Sequence, residues 1–228
     1  MLAWLRPAAL MLAIVALVML ALSGPGTRFD AWSYRTGFVI FRYSAYVAIV
    51  AIAVAAAVLA IPATRRIGIA LPIFALILAA AVLYVPLQLQ SRARSVPPIN
   101  DITTDTSNPP QYMTTARAYP GAEFARQQRA AYPDLVSPTL PISPQAAFAK
   151  AVAAAEAMGW EVVGRDAATG RIEAVDTTKW FGFKDDIAIR VTATDAGSRI
   201  DVRSKSRVGR SDLGTNAQRI RAYLERLK

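Results

Sequence analysis

Residues 43–61, YSAYVAIVAIAVAAAVLAI, and residues 67–89, IGIALPIFALILAAAVLYVPLQL, carry no charged side chain. A helix that crosses the hydrocarbon core of a bilayer needs about 20 residues, and both runs meet that length. Arg42 precedes the first run and Pro62 follows it, while Arg65 and Arg66 precede the second and Arg92 and Arg94 follow it. A third run, residues 8–22 (AALMLAIVALVMLAL), is uncharged but short. It reaches spanning length when residues 2–5 are added and Arg6 snorkels to the surface. The sequence therefore predicts three transmembrane helices, at 5–22, 43–61 and 67–89. A secretory signal is the competing reading of the first run, with Ala21-Leu22-Ser23 as a small-residue cleavage site. A retained helix is favoured, and the two readings give the same topology.

With the N-terminus inside, residues 24–42 lie outside, Arg65 and Arg66 lie inside, and everything after the third span lies outside. The arginine count runs the other way. Arg6, Arg65 and Arg66 would be inside, and Arg28, Arg35, Arg42, Arg92 and Arg94 outside, against the usual cytoplasmic excess. The dense Arg65-Arg66 pair and the signal-like start decide for N-inside. This predicts a multi-pass protein of the inner (cytoplasmic) membrane, bacterial in type, with a periplasmic C-terminal domain. Trp32, Tyr34, Phe38, Phe41 and Tyr43 alternate with Arg over residues 28–43. That composition suits the headgroup layer, or else a short loop leading into a longer second helix. The span interiors hold no acid or base, whereas ion and proton pathways normally need one. An anchor is the simpler role.

Charge is segregated along the chain. Residues 1–90 contain six Arg and one acid, and the other 20 basic and 15 acidic residues follow. The chain has no Cys and no His. That removes disulfides, thiolate nucleophiles, imidazole bases, Ser-His-Asp triads and the usual zinc, haem and iron–sulfur ligands. A carboxylate-only magnesium or calcium site stays open, but no cofactor or metal is expected. The net charge of +10 permits contact with anionic lipid or another polyanion, though membrane proteins of bacterial type are often basic without one.

Residues 91–121 read as a Pro/Thr-rich connector, RSVPPINDITTDTSNPP over 94–110, too rich in proline for regular helix. Residues 122–228 read as an α+β domain. A short helix is predicted over 122–131, then one opening on Ser143-Pro144, an N-cap with proline at the first helical position. Four strands follow, at 160–164, 171–177, 186–194 and 199–208, with Asp195-Ala-Gly-Ser198 as the turn of a closing hairpin. A helix over about 215–227 ends the chain, its apolar stripe running through Ala217, Ile220 and Leu224. The expected domain is helix, four antiparallel strands, helix, with helices on one sheet face.

Strand alternation sorts the charged residues. Over 199–208, Ile200, Val202, Ser204, Ser206 and Val208 share one face, and Arg199, Asp201, Arg203, Lys205 and Arg207 share the other. Arg190 of the preceding strand joins the cationic face. Such a row suits phosphate or carboxylate groups, or it is an ordinary solvated face paired with Glu173, Asp185 and Asp186. An enzyme would need Asp185 and Asp186 to divide acid and base roles, yet neighbours in a strand point to opposite faces. Ser204 and Ser206 lack a base, because Lys205 points away from them.

Residues 200–220, IDVRSKSRVGRSDLGTNAQRI, resemble the signature of domain of unknown function family 1499, found in bacteria and plastids. The matching positions are Arg203, Ser204, Ser206, Arg207, Gly209, Ser211, Asp212, Gly214, Asn216, Arg219 and Ile220. Residues 100–110 and Phe183-Lys-Asp-Asp186 are similar to further family segments, so the resemblance covers about 97–228. It implies an envelope- or thylakoid-associated domain with no activity to carry over. The candidate binding residues are Arg203, Lys205, Arg207, Arg210, Ser211, Asp212, Asn216 and Arg190. The expected function is a membrane-anchored envelope protein whose domain binds an anionic ligand or a partner protein. The alternatives are an envelope hydrolase using Asp185 and Asp186, or a cytoplasmic-facing polyanion-binding domain, with nucleic acid ranked last. Oligomeric state is not readable.

Overall fold

A computed structural model describes residues 3–228. Leu2, offered above as part of an extended first span, lies outside the described residues. The chain divides into two compact units, residues 1–92 with 179–182, and residues 93–178 with 183–228.

The first unit is helical. Helix α1 runs Leu5–Arg28, α2 Tyr34–Ala60, the single turn α3 Pro62–Arg65, and α4 Ala70–Ser95. Helices α1, α2 and α4 are each long and apolar enough to cross a membrane. All three are longer than the apolar runs alone predict. The chain between α1 and α2 is confined to residues 29–33, and the Arg- and aromatic-rich stretch 34–42 is helix. Ser33 starts α2 by accepting the Thr36 amide hydrogen on its side chain, at 3.3 Å. Small residues let α1 and α2 pack closely: Ala9, Ala13 and Ala16 meet Ala48, Ala51 and Ala55, and Ala75, Ala79 and Val82 of α4 join the cluster. Aromatic rings complete the unit, Trp180 at 5.8 Å from Phe41 and Phe181 at 5.0 Å from Phe38 between centroids.

The second unit is α+β. Its elements are β1 (Asp101–Thr103), α5 (Ala122–Ala131), β2 (Thr139–Leu140), α6 (Pro144–Ala157), β3 (Glu161–Asp166), β4 (Arg171–Thr177), β5 (Lys184–Thr194), β6 (Gly197–Ser206) and α7 (Thr215–Glu225). The sheet has six strands in the order β1-β6-β5-β4-β3, with β2 also on β6. Every pairing is antiparallel. Two strands more than expected come from short pieces, three residues of the connector and residues 139–140. Neither is long enough to show a period of two.

One sheet face is apolar and carries α6 and α7. Ile102, Ile172, Ile187, Ile189, Ile200 and Val202 pack against Ala147, Ala151, Ala155, Ala217, Ile220 and Tyr223. Trp160 stacks on Tyr223 at 5.1 Å, and the Tyr223 hydroxyl donates to the Ala151 carbonyl at 2.9 Å. Gln128 of α5 protects the outer edge of β1, its amide donating to Thr103 O at 2.6 Å and accepting from Thr103 N at 3.0 Å. An edge strand left open would invite pairing with another chain.

Candidate functional site

The other sheet face is the cationic one, and it is not free. Residues 105–119 of the segment read as a connector cross it as a strap. Side chains of the sheet hold the strap's backbone. Arg190 donates to Asn108 O, Arg171 to Gln111 O and Tyr112 O, and Arg203 to Pro110 O and Arg117 O. Glu173 works in the opposite sense, its carboxylate accepting from the Met113 and Thr114 amides and the Thr114 hydroxyl. Strand alternation determines which residues share this face but not their exposure, which depends on what lies over it. The distant segment supplies the cover.

Arg203 sits beneath the strap with no exposed surface. Its Nε and Nη2 donate to the two carboxylate oxygens of Asp101, both at 2.8 Å, and Lys205 Nζ reaches Asp101 Oδ2 at 2.9 Å. The guanidinium lies 4.9 Å from the Tyr112 ring centroid and 5.6 Å from that of Tyr119. Burial works against its charge, but the hydrogen bonds and charge of Asp101 hold its pKa above the ordinary value. Burial also raises both phenols, Tyr112 far above the ordinary range and Tyr119 to about 12.

Two further clusters share this face. Arg207 donates twice to Asp186 Oδ1, at 2.9 and 2.7 Å, while Arg117 pairs with Asp186 Oδ2 at 2.9 Å. Hydrogen bonding to Asp186 raises the Arg207 pKa. At the other end, Arg190 and Arg199 share Asp201 and Asp105, at 2.7 to 3.3 Å.

The helix-facing side holds a different network. Arg219 pairs with Asp176 at 2.7 Å and Asp185 at 2.6 Å, and also donates to Asn216 Oδ1 and Ser204 Oγ. Ser204 donates to the same Asn216 oxygen at 2.7 Å. Asn216 Nδ2 donates to Asn100 O and Ser206 Oγ, both at 3.1 Å. Asp212 then closes the start of α7, accepting the Gly214 and Asn216 amides, each at 2.8 Å. An external anion on this helix start would have to displace the Asp212 carboxylate, so the corner serves as a cap. Burial raises the Asp212 pKa, with the Asn216 and Gly214 amides opposing.

The eight residues read from the sequence therefore divide among three places. Arg190, Arg203, Lys205 and Arg207 lie on the strap side, tied to acids. Ser211, Asp212 and Asn216 build the strand-to-helix corner, with Ser211 Oγ accepting the Leu213 amide at 3.3 Å. Arg210 is exposed. Asp185 and Asp186 point to opposite faces, each engaged by arginine. Among the described residues no cluster of acids is arranged to hold a metal ion. A surface cleft of about 420 Å³ lies between the start of α6, the 167–170 turn and residues 190–193. Of the eight, only Arg190 borders it.

Sequence reasoning missed Asp101, Tyr112, Arg117 and Tyr119 as parts of the strap face, and Arg219 as the hub of the helix side. Asp101 lay in a segment whose Asp, Thr and Pro content also fits turns. Its buried arginine partner is 102 positions away, and one sequence gives no sign of that contact.

A family model described as "Protein of unknown function (DUF1499)" matches residues 101–227. The chain belongs to the DUF1499 family. The DUF1499 span opens at Asp101 and takes in the strap, all six strands and α7, so the ion-pair networks lie wholly within it. Helices α1 to α4 precede it. No curated protein matches the chain.

Proposed function

We propose that this DUF1499 protein is a membrane-anchored component of the cell envelope whose extramembrane domain binds a partner or an anionic ligand without catalysing a reaction. Helices α1, α2 and α4 are the anchor, and the domain lies on the outer side of the cytoplasmic membrane. The observation that carries the binding reading is the locking of the carboxylates. Asp101, Asp185, Asp186 and Asp201 are each held by arginine on one of two opposite sheet faces. A carboxylate so paired is a poor proton acceptor, and acid–base work needs two groups converging on one reacting atom. This weighs against a hydrolase built on Asp185 and Asp186. Residues 207–210 are the longest exposed run of the signature segment, a place that a partner can reach.

Two measurements test the reading. Carbonate extraction of membranes carrying the full chain is expected to leave it in the pellet. A photo-crosslinking side chain at Val208 is expected to give a discrete adduct that Arg210→Glu abolishes. A chain released by carbonate, or an adduct indifferent to Arg210, would contradict it.

A further inference from the structure

Most basic side chains in the second unit are engaged by an acid, a carbonyl, a hydroxyl or a thioether. Arg94, Lys184 and Arg210 have no hydrogen bond or ion pair from their side chains among the described residues, and all three are exposed. They lie on three segments that the fold ties together. Arg94 lies in the last turn of α4, and Val96, two residues on, packs beside Gly214, where an added Cβ would lie 3.3 Å from its Cγ1. Asn100 donates its amide to Gly209 O at 2.6 Å, which fixes Arg210 beside the segment leaving α4. Lys184 joins them through its carbonyl, which accepts the Arg207 amide hydrogen at 3.1 Å. Arg207 is itself neutralised by Asp186 and is not one of the three.

Six residues of extended chain span at most about 20 Å, so residue 100 and the loop it holds stay close to the end of α4. If α4 crosses the bilayer, as proposed above, Arg94 in its last turn stands at the headgroup layer of the leaflet it leaves, and Arg210 and Lys184 follow on the segments tied to it. We propose that Arg94, Lys184 and Arg210 form a juxtamembrane collar that binds the phosphate groups of acidic phospholipids. Three charges with no partner among the described residues, on segments tied to the end of a membrane helix, complement an anionic surface, whose attraction falls off within a Debye length of about 10 Å. The inference rests on the anchor reading and holds for either orientation of the chain.

Native mass spectrometry of the full chain in detergent containing equal phosphatidylcholine and phosphatidylglycerol tests it. The wild type is expected to retain phosphatidylglycerol preferentially. The triple variant R94Q/K184Q/R210Q is expected to lose at least about five-fold of that preference, with an unchanged circular dichroism spectrum because none of the three side chains has a partner among the described residues. Equal retention of the two lipids would overturn the collar. So would a preference that survives in the triple variant, or one lost only in R65Q/R66Q. Displacement of the lipid by equimolar inorganic phosphate would assign the site to soluble phosphates instead. Carbonate extraction of the same chain separates the two readings. A chain released by carbonate overturns anchor and collar together, and a retained chain without lipid preference overturns the collar alone.

Discussion

The Arg203 guanidinium and the Asp101 carboxylate meet through two parallel hydrogen bonds of 2.8 Å, 102 positions apart in the chain and without exposed surface on either side chain. This pair joins β1 to β6, and the same guanidinium holds the strap at Pro110 and Arg117. Removing one member of a buried pair leaves the other charged and uncompensated, which costs about 3–5 kcal/mol. Asp101→Ala strands both Arg203 and Lys205, whereas Arg203→Met leaves Asp101 with Lys205. Denaturant unfolding of the full chain in detergent is expected to rank D101A as the less stable of the two. The opposite order would mean that the strap hydrogen bonds matter more than the charge.

Glu173 fixes the middle of the strap through three hydrogen bonds. In Glu173→Ala, hydrogen exchange at the Met113 and Thr114 amides is expected to accelerate while the β6 amides keep their protection. Equal acceleration in both places would make the strap part of one cooperative unit with the sheet.

Asp212 gives a pH signature. Burial raises its carboxyl above the usual value near 3.8. A carboxyl whose pKa rises on folding contributes stability below its unfolded pKa, and that contribution is lost as pH climbs through the folded value. Asp212→Asn stays neutral at every pH. The variant is therefore expected to gain on the wild type as pH goes from 4 to 7, read as the difference between unfolding midpoints. A constant difference would contradict the assignment.

In the helical unit, Gly37 lies where α2 approaches α1. An added Cβ would lie 2.7 Å from the Ser23 carbonyl oxygen and 2.3 Å from Thr27 Oγ1. The backbone oxygen cannot move aside as a flexible side chain would, so Gly37→Val must push the helices apart. Thermal unfolding of the full chain in detergent is expected to fall by several degrees. An unchanged midpoint would mean that the two helices separate at little cost.

The sequence made some elements readable because their signals are local. Residues 67–89 declare a span through twenty-three uncharged positions. Ser143-Pro144 marks the start of α6, and Asp195-Ala-Gly-Ser198 marks the β5–β6 turn, where the structure places both. Alternation in β6 put Arg203 and Ser204 on opposite faces, as found. What stayed hidden is non-local. Strand β1 has three residues and exists because β6 and Gln128 pair with it. Whether Arg203 faces water or Asp101 depends on a segment about a hundred residues earlier. For residues 34–42 arginines and aromatics left two readings open, an interfacial stretch or a longer second helix, and the Ser33 cap and packing against α1 make that stretch helical.

We propose that three spans carry this domain to the outer side of the cytoplasmic membrane. Paired alkaline phosphatase and green fluorescent protein fusions at Lys228 measure that side directly. Active phosphatase and a dark fluorescent fusion are expected. Inactive phosphatase with a bright fluorescent fusion would contradict it, place the domain in the cytoplasm and agree with the arginine count across the loops.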